Sequence, residues 1–261
     1  MVSPEYVNII NRIAPGMGAV GNDVPWFVEK VMTTLTKAAA QKDNRLIVVG
    51  ITGLAGAGKD TAVAFLEKIG NVFQNYSFNA PGGFAESPSA NRIRAYFNGF
   101  GFDKLAFASP LKAIAMAVGF TYEQCYDPEL KNKPDPFWGI SPRQFLQMCG
   151  TEMFRNVWRD DVWVEILRKK IRDAHPKSCG VIFITDVRFP NEAKMIKDEG
   201  GYIIRIKRAG HDEVMNHASE NQIKDLPVDA EFINNSDSAE GWSIDFTIQF
   251  CKFLEPTVFA Q

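Results

Sequence analysis

An apolar run followed by a glycine-rich segment constrains this 261-residue chain more than any other feature. Residues 46–52 (LIVVGIT) are apolar and rich in β-branched side chains, which is typical of a strand buried on both faces of a parallel sheet. Residues 53–61 (GLAGAGKDT) match G-x-x-x-x-G-K, and a helix is predicted to follow from about Asp60 to Ile69. In that context the loop N–H groups and the helix dipole favour phosphate oxygens. The sequence therefore predicts a phosphate-binding loop (P-loop), with Lys59 reaching the terminal phosphates.

The residue after this lysine departs from the usual pattern. A P-loop normally has Ser or Thr there, with a hydroxyl that binds Mg²⁺, whereas this chain has Asp60, and the hydroxyl comes one position later at Thr61. A carboxylate is a good oxygen ligand for Mg²⁺, directly or through water. Asp60 and Thr61 are the candidate metal ligands, and a role for Asp60 in holding an attacking or accepting group stays open.

Strands and helices are predicted to alternate along most of the chain. Further strands are predicted at Val181–Thr185 and Tyr202–Lys207, with shorter ones at Lys104–Ala108 and Glu231–Asn234. Helical spacing and start signals, including N-caps at Ser109 and Ser141, predict helices at residues 24–40, 109–118, 142–157, 162–174, 191–199 and 240–254. This alternation is typical of an α/β fold with a doubly wound, mostly parallel sheet. Residues 1–44 are predicted as an N-terminal helical extension and residues 70–100 as a long loop or insertion.

A second acidic position follows the strand at Val181–Thr185. Ligands of open α/β sheets bind beyond the carboxyl ends of the strands, which is where Asp186 lies. In other P-loop enzymes an acidic residue at a strand end assists Mg²⁺. Arg188, two residues later, is a candidate phosphate contact. The alternative for both residues is a loop pair that helps to cap the next helix.

The helix predicted at residues 142–157 carries an unusual polar stripe. Arg143, Gln147, Gly150 and Thr151 are spaced i, i+4, i+7 and i+8, so an α-helix would place them on one face. Phe145, Leu146, Cys149 and Met153 would then lie elsewhere and face the core. A small polar stripe that begins with arginine suits the close approach of an anionic ligand, although an ordinary solvent face is the alternative.

Composition excludes several classes of partner and site. The formal net charge of −2 gives no basic excess of the kind that nucleic-acid binding requires. The four cysteines form no C-x-x-C pair, so neither structural zinc nor a disulfide framework is expected, and a reducing cytoplasm fits best. No signal peptide and no apolar run of membrane-spanning length is apparent, so no membrane partner is expected.

Several further patterns carry weaker predictions. Lys112 could meet a phosphate or be solvated, and the segment at residues 217–220 (HASE), with Arg208 nearby, could form a mobile lid or simply be exposed. The tryptophans at 138, 158 and 163 are expected in the core or an interface, and Trp163 could also stack on a base. Asn132-Lys133-Pro134-Asp135 matches the N-K-x-D guanine signature and residues 198–201 match D-x-x-G. The first lacks a preceding buried strand and the two occur in the wrong order, so a GTPase is rejected.

Taken together, four segments resemble the deoxynucleoside monophosphate kinases of tailed bacteriophages. They are GAGKDT after LIVVGIT, SPRQFLQMCGTE, VIFITDVRFPNEA and HASE, and the resemblance covers roughly residues 46–235. The GKD variant also occurs in phosphomevalonate kinases, whereas R-x-x-x-Q-x-x-G-T followed by Trp163 and Asp186 is more specific. The resemblance implies a P-loop kinase domain at residues 45–261, with a helical acceptor-binding insertion at about 120–165 and a lid at about 208–228.

The resemblance also implies roles for individual residues. The donor phosphates of ATP and Mg²⁺ would be held by the P-loop residues Gly53, Ala55, Gly56, Ala57, Gly58, Lys59, Asp60 and Thr61. The acceptor monophosphate would be lined by Arg143, Gln144, Gln147, Gly150, Thr151, Trp163, Asp186 and Arg188. Gln144 stands where related sequences can have Lys. Lys59, Asp60, Arg143 and Asp186 would be catalytic, with Asp60 near the metal and Asp186 on the acceptor side.

The reaction implied is transfer of the ATP γ-phosphoryl group to a deoxynucleoside 5′-monophosphate, with small nucleotides as partners. Two alternatives stay open: a kinase for another phosphorylated metabolite, such as phosphomevalonate, and a nucleotide-binding module without transfer. A homodimer is compatible with the sequence.

Overall fold

A computed structural model describes residues 23–41, 46–67, 100–174, 179–209 and 223–256 of the chain. The chain divides into two compact units. Unit 1 comprises residues 1–104 and 174–261, and unit 2 comprises residues 105–173. The HASE segment, most of the predicted lid and, except for Phe100, the predicted loop at residues 70–100 lie outside the described residues.

Unit 1 is built on a five-stranded sheet. Its strands are β1 (Leu46–Thr52), β2 (Phe100–Leu105), β3 (Cys179–Ile184), β4 (Tyr202–Arg208) and β5 (Ala230–Asn234), in the order β2-β3-β1-β4-β5. The β1–β3, β1–β4 and β4–β5 pairs are parallel, and Gly50 of β1 is level with Ile184 of β3. All seven residues of β1 are buried, as a central parallel strand requires. The predicted α/β fold with a mostly parallel sheet is confirmed.

The helices alternate with these strands. In chain order they are α1 (Asp23–Ala40), α2 (Lys59–Ala62), α3 (Ser109–Ala117), α4 (Tyr122–Tyr126), α5 (Pro142–Gln147), α6 (Val162–Ala174), α7 (Pro190–Asp198) and α8 (Ala239–Leu254). A 3₁₀ turn covers Leu130–Asn132, and a π-helix covers Met148–Arg155.

Helix α1 belongs to the core of unit 1 and is not a separate extension. Val31, Met32, Leu35 and Ala39 are at most 1% exposed and pack in one cluster with apolar residues of the sheet and of α8. The sequence boundary predicted at residue 44 therefore does not coincide with a boundary between compact units. The break in hydrophobic pattern at residues 41–44 marks the end of a helix, and it says nothing about where that helix packs.

Element ends differ from prediction where the local signal is weak. Strand β2 begins at Phe100, four residues before the predicted start, because only Phe100 of its six residues is fully buried and the apolar signal is correspondingly faint. Helix α2 ends at Ala62, and residues 64–67 continue as helix after a turn at Val63. Helix α3 has Ala108 as its N-cap with no side-chain cap bond, so the predicted cap at Ser109 is wrong by one residue.

Unit 2 contains α3 to α6, and paired caps fix two of its helix starts. Ser141 accepts a hydrogen bond from the Gln144 N–H at 3.2 Å, and the Gln144 side chain accepts one from the Ser141 N–H at 2.9 Å. Thr121 and Gln124 repeat this arrangement at α4. These reciprocal bonds satisfy N–H groups that a helix start leaves without partners. The predicted start at Ser141-Pro142 is confirmed.

The second half of the helix predicted at residues 142–157 is π-helical. The Asn156 N–H donates to the Thr151 carbonyl five residues back, at 2.9 Å, instead of four. A wider turn changes which side chains share a face. Met153, which α-helical spacing assigned to the core, is 54% exposed.

Among the described residues, no helix is long and apolar enough to cross a membrane.

Candidate active site

The glycine-rich segment after β1 folds into a loop that depends on glycine. Gly53, Gly56 and Gly58 have φ values of 144°, 79° and 91°, in a region that other residues rarely adopt. At Gly58 a Cβ would lie 2.8 Å from both the Asn234 amide nitrogen and the Trp242 indole nitrogen. The loop backbone is therefore held against neighbouring elements at a distance that only glycine permits.

Lys59 lies at the start of α2 with its ammonium group turned back along the loop. Its Nζ donates to the Gly53 and Leu54 carbonyls at 2.7 and 2.6 Å. Both acceptors belong to the first residues of the loop, so the lysine spans the loop from end to beginning. A cation held in this way inside a glycine-rich strand-to-helix turn is suited to terminal phosphate oxygens.

Three side chains from the far half of the chain hold the loop carbonyls. The Asn234 amide donates to Ala57 O at 3.1 Å, and the Trp242 indole donates to Gly58 O at 2.9 Å. Arg208 reaches Gly56 O at 3.3 Å. Asn234 and Arg208 are the last residues of β5 and β4, the strand ends where ligands of open α/β sheets bind. Sequence reasoning missed Asn234 and Trp242 as loop partners, and that strand-end position was the signal available for Asn234.

Asp60 is joined to the end of β3. The Thr185 hydroxyl donates to Asp60 Oδ1 at 2.9 Å, and Thr185 is 3% exposed. Lys104 contacts Asp60 from β2, with Nζ 3.8 Å from Oδ1 and 3.4 Å from the backbone oxygen. The Asp60 side chain is nonetheless 79% exposed, so its carboxylate is accessible to a ligand. Neither Thr185 nor Lys104 was among the predicted site residues.

Asp186 and Arg188 lie where prediction put them, directly after β3. Asp186 is half-buried and Arg188 is exposed. The segment is fixed at two points: the Val187 N–H donates to Ile51 O at 3.2 Å, and the buried Glu192 carboxylate accepts from the N–H groups of Arg188 and Phe189 at 2.8 and 3.1 Å. Helix capping in this segment is thus done by Glu192, which leaves the Arg188 guanidinium outside the cap.

Unit 2 divides the predicted polar stripe into two environments. Arg143, Gln147 and Thr151 are exposed, whereas Gly150 is buried and a Cβ there would lie 2.7 Å from Leu111 Cδ2. The glycine therefore permits close packing against α3. The exposed Arg143, Gln147 and Thr151 remain, and arginine, amide and hydroxyl side chains are of the kinds that bind an anion.

The other two predicted acceptor residues of unit 2 have structural partners. Trp163 is 4% exposed, its indole donates to Gly150 O at 3.0 Å, and its ring lies 5.1 Å from that of Phe154. The Gln144 side-chain oxygen accepts from the N–H of Ser141, the N-cap of α5. Trp138 and Trp158, expected in the core or an interface, are 46% and 66% exposed.

The N-K-x-D segment has a local structural explanation. The Asp135 carboxylate accepts from the Gln124 amide at 2.8 Å and from the N–H groups of Phe137 and Trp138 at 2.9 and 3.1 Å. The Gln124 bond, followed by the Trp138 N–H, lowers the pKa of Asp135. The carboxylate thus organises its own turn, and the preceding residues form a 3₁₀ turn and not a strand.

Lys112 lies over the Tyr126 ring, 3.7 Å from its centroid.

Three of the four cysteines have buried side chains. Cys125, Cys149 and Cys251 are free and buried. Burial raises the pKa of each thiol, so all three stay protonated near neutral pH. Burial and the raised pKa values therefore disfavour covalent chemistry through these three thiols.

The donor set at the loop fits a Mg²⁺–phosphate complex. Within the described ranges, no group of three His, Cys, Asp or Glu side chains could enclose a metal ion. Mg²⁺ is commonly held by one or two carboxylates, waters and the oxygens of substrate phosphates. Asp60, beside the phosphate loop and accessible, meets that requirement.

Comparisons with known proteins agree on one activity. The profile of a family described as deoxynucleotide monophosphate kinase matches residues 100–243, more than half of the chain. An Acanthamoeba polyphaga mimivirus protein, provisionally named a deoxynucleotide monophosphate kinase, is 29% identical over 212 residues, which cover 76% of this chain and 93% of that protein. The deoxynucleoside-5′-monophosphate kinase of Escherichia phage T5 is 31% identical over 138 residues, which cover 49% of this chain and 54% of the phage protein.

Proposed function

Because the chain belongs to the deoxynucleotide monophosphate kinase family, we propose that it transfers the γ-phosphoryl group of ATP to a deoxynucleoside 5′-monophosphate. The family confirms the resemblance stated from sequence and the assignment as a phosphotransferase. We further propose that ATP is the donor, that Mg²⁺ is the cofactor and that particular residues hold each substrate. The observation that carries it is the loop at residues 53–61, with Lys59 spanning it and Asp60 at its edge.

We assign the donor phosphates to this loop in unit 1. Its glycine conformations and the carbonyl contacts from Asn234 and Trp242 fix the loop backbone before any ligand arrives. A preorganised loop loses little conformational entropy on binding. Lys59, held by its two carbonyl contacts, then supplies a positive charge for the β- and γ-phosphate oxygens.

We assign the acceptor monophosphate to the exposed polar residues of unit 2, Arg143, Gln147 and Thr151. Arginine suits this role because its planar guanidinium can donate two hydrogen bonds to one phosphate. Gln144, Gly150 and Trp163 would shape the site through the α5 cap and the Trp163–Gly150 bond. Asp186 and Arg188 of unit 1 are further candidates for the acceptor side.

The reaction asks little covalent chemistry of the protein. An oxygen of the acceptor phosphate forms a bond to the γ-phosphorus, and the bond from that phosphorus to the β–γ bridging oxygen breaks, so that ADP leaves and a deoxynucleoside diphosphate remains. Charge on the transferring group is then offset by Lys59 and Arg143, and catalysis rests on position and charge. When bound near Asp60, Mg²⁺ would neutralise phosphate charge.

The proposed reaction also indicates where the protein acts and what it binds. Deoxynucleotides are cytoplasmic metabolites, so we propose a cytoplasmic location, or that of the host cell if the chain is phage-encoded. Small nucleotides would be its partners, without nucleic acid or membrane. Homodimer formation is a separate proposal, tested by the mass of the purified protein in solution.

A panel of acceptors tests the function. The purified chain is incubated with ATP and MgCl₂ and, separately, with each deoxynucleoside monophosphate, each ribonucleoside monophosphate and phosphomevalonate, and products are separated by anion-exchange chromatography. We expect ADP and a deoxynucleoside diphosphate in equal amounts from at least one deoxynucleotide. Phosphorylation of phosphomevalonate alone would favour a metabolite kinase, and nucleotide binding without any transfer would favour a binding module.

A further inference from the structure

Buried Thr185 and exposed Asp60 form a pair that joins the end of β3 to the start of α2 at the phosphate loop. Thr185 follows β3 directly, one residue beyond the Ile184–Gly50 level of the β1–β3 pair. Asp60 is the second residue of α2, directly after the loop lysine. The 2.9 Å bond from the Thr185 hydroxyl to Asp60 Oδ1 connects residues 125 positions apart.

The usual P-loop has the same two functional groups in the opposite places. There a Ser or Thr hydroxyl follows the lysine and binds Mg²⁺, and an aspartate from a neighbouring strand completes the metal site. In this chain the carboxylate follows the lysine and the hydroxyl stands at the end of the strand that pairs with β1. A hydroxyl and a carboxylate thus meet at this loop with their positions exchanged, and Asp186, the residue after Thr185, keeps a second acidic group at the strand end.

We propose that Thr185 is a positioning residue that holds the Asp60 carboxylate for Mg²⁺. The inference rests on the proposed function, because it names the metal-binding residues of that same loop. Its new content is the role of Thr185 and the choice of Oδ1 as the Asp60 oxygen that accepts the Thr185 hydrogen bond.

The structure gives Thr185 the properties of a rigid support. Its side chain is almost fully buried, and the backbone beside it is tied to β1 by the Val187 N–H to Ile51 O bond. A donor fixed in this way orients the carboxylate by occupying Oδ1, and Oδ2 is left for a ligand on the exposed side. The Lys104 contact is longer, at 3.8 Å, and lies in a more exposed setting, so it fixes the carboxylate less.

Nucleotide binding measured with and without metal tests the pair independently of the acceptor. Isothermal titration with ADP, in EDTA and in excess MgCl₂, gives the factor by which Mg²⁺ tightens binding. We expect Thr185→Val to reduce this factor about tenfold while binding in EDTA stays within about twofold, because only the metal-bound state uses the oriented carboxylate. Thr185→Ser keeps the hydroxyl and should keep the factor.

A double-variant comparison separates positioning from a merely structural role. Asp60→Asn should remove most of the Mg²⁺ effect, and adding Thr185→Val to it should change nothing further, since the hydroxyl acts through Asp60. If Thr185→Val is unstable, Thr185→Ala replaces it, with circular dichroism as the folding check. An unchanged Mg²⁺ factor in the folded Thr185 variants, or losses that add in the double variant, would overturn the proposal. The absence of transfer to deoxynucleotides with an intact Mg²⁺ factor would refute the function and leave this pair standing.

Discussion

Lys59 illustrates how a single residue connects loop geometry to chemistry. Its ammonium is held by two carbonyls of its own loop at 2.6–2.7 Å, so its position does not depend on a flexible surface contact. The charge that develops on a transferring phosphoryl group is stabilised best by donors that are already in place. We therefore expect Lys59 to act in turnover.

Replacing Lys59 by alanine should lower kcat by about 10² or more and leave the melting temperature nearly unchanged. Steady-state product formation and thermal unfolding measure the two quantities. Lys169→Ala, an exposed lysine of α6 paired with Asp173, is the matched control and should retain full turnover. Near-normal turnover in the Lys59 variant would refute the P-loop assignment.

Replacing Arg143 tests the proposed binding site for the acceptor monophosphate. If the exposed guanidinium binds the acceptor phosphate, Arg143→Ala should raise the KM for the deoxynucleotide about tenfold or more, with the KM for ATP within about twofold. Initial rates at varied concentrations of each substrate separate the two. Arg172→Ala, an exposed arginine of α6, controls for loss of surface charge. A defect confined to ATP would move Arg143 to the donor side.

The residues that sequence reasoning missed have one property in common. Thr185, Asn234 and Trp242 meet the loop from 125, 177 and 184 positions away. Motif spacing reports neighbours along the chain, so Lys59 and Asp60 were predictable from GAGKD alone. A buried threonine at a strand end looks like any core position until the sheet order places β3 beside β1.

At the scale of elements, the β2–β3 pair depends on one glycine. A Cβ at Gly180 of β3 would lie closer to the Gly101 carbonyl oxygen of β2 than real Cβ atoms come, and that oxygen belongs to backbone. At Gly101 itself nothing lies within 4 Å of an added Cβ. The two facing strands therefore tolerate a side chain on one glycine and not on the other.

Gly180→Ala should lower the free energy of unfolding by about 2–3 kcal/mol, because backbone must shift to admit the methyl group. Gly101→Ala, its neighbour across the strands, should change it by less than about 1 kcal/mol. Urea denaturation followed by circular dichroism measures both. Equal effects from the two substitutions would show that the strands are not packed as closely as described.

The helix after Ser141 shows where element prediction reached its limit. The Ser-Pro start and the Gln144 cap were readable because they are local signals. The π-helical turn at Met148–Arg155 was not, since α-helical spacing was assumed throughout. The change moved Met153 to the surface, and close packing against Leu111 put Gly150 inside, away from the exposed Arg143.

At the scale of the molecule, α1 completes the core of unit 1. Leu35 is fully buried in the cluster that also contains residues of the sheet and of α8, whereas Lys37 on the same helix is 62% exposed and pairs with Glu255 at 3.6 Å. Leu35→Ala should cost about 2–5 kcal/mol of stability through lost burial and a cavity. Lys37→Ala should cost less than about 0.5 kcal/mol. Urea unfolding distinguishes them, and a harmless Leu35→Ala would contradict the place of α1 in the core of unit 1.

The sequence by itself determined the α/β class, the phosphate loop, the family and most helix starts, because apolar periodicity, caps and G-x-x-x-x-G-K act over a few residues. Only the tertiary structure decided that α1 is core, that the chain divides at residues 105 and 174, and that Thr185, Asn234 and Trp242 support the loop. These features depend on strand order and on contacts between distant segments. Burial in a shared core and hydrogen bonds across the sheet are set by how elements pack, which local patterns do not encode.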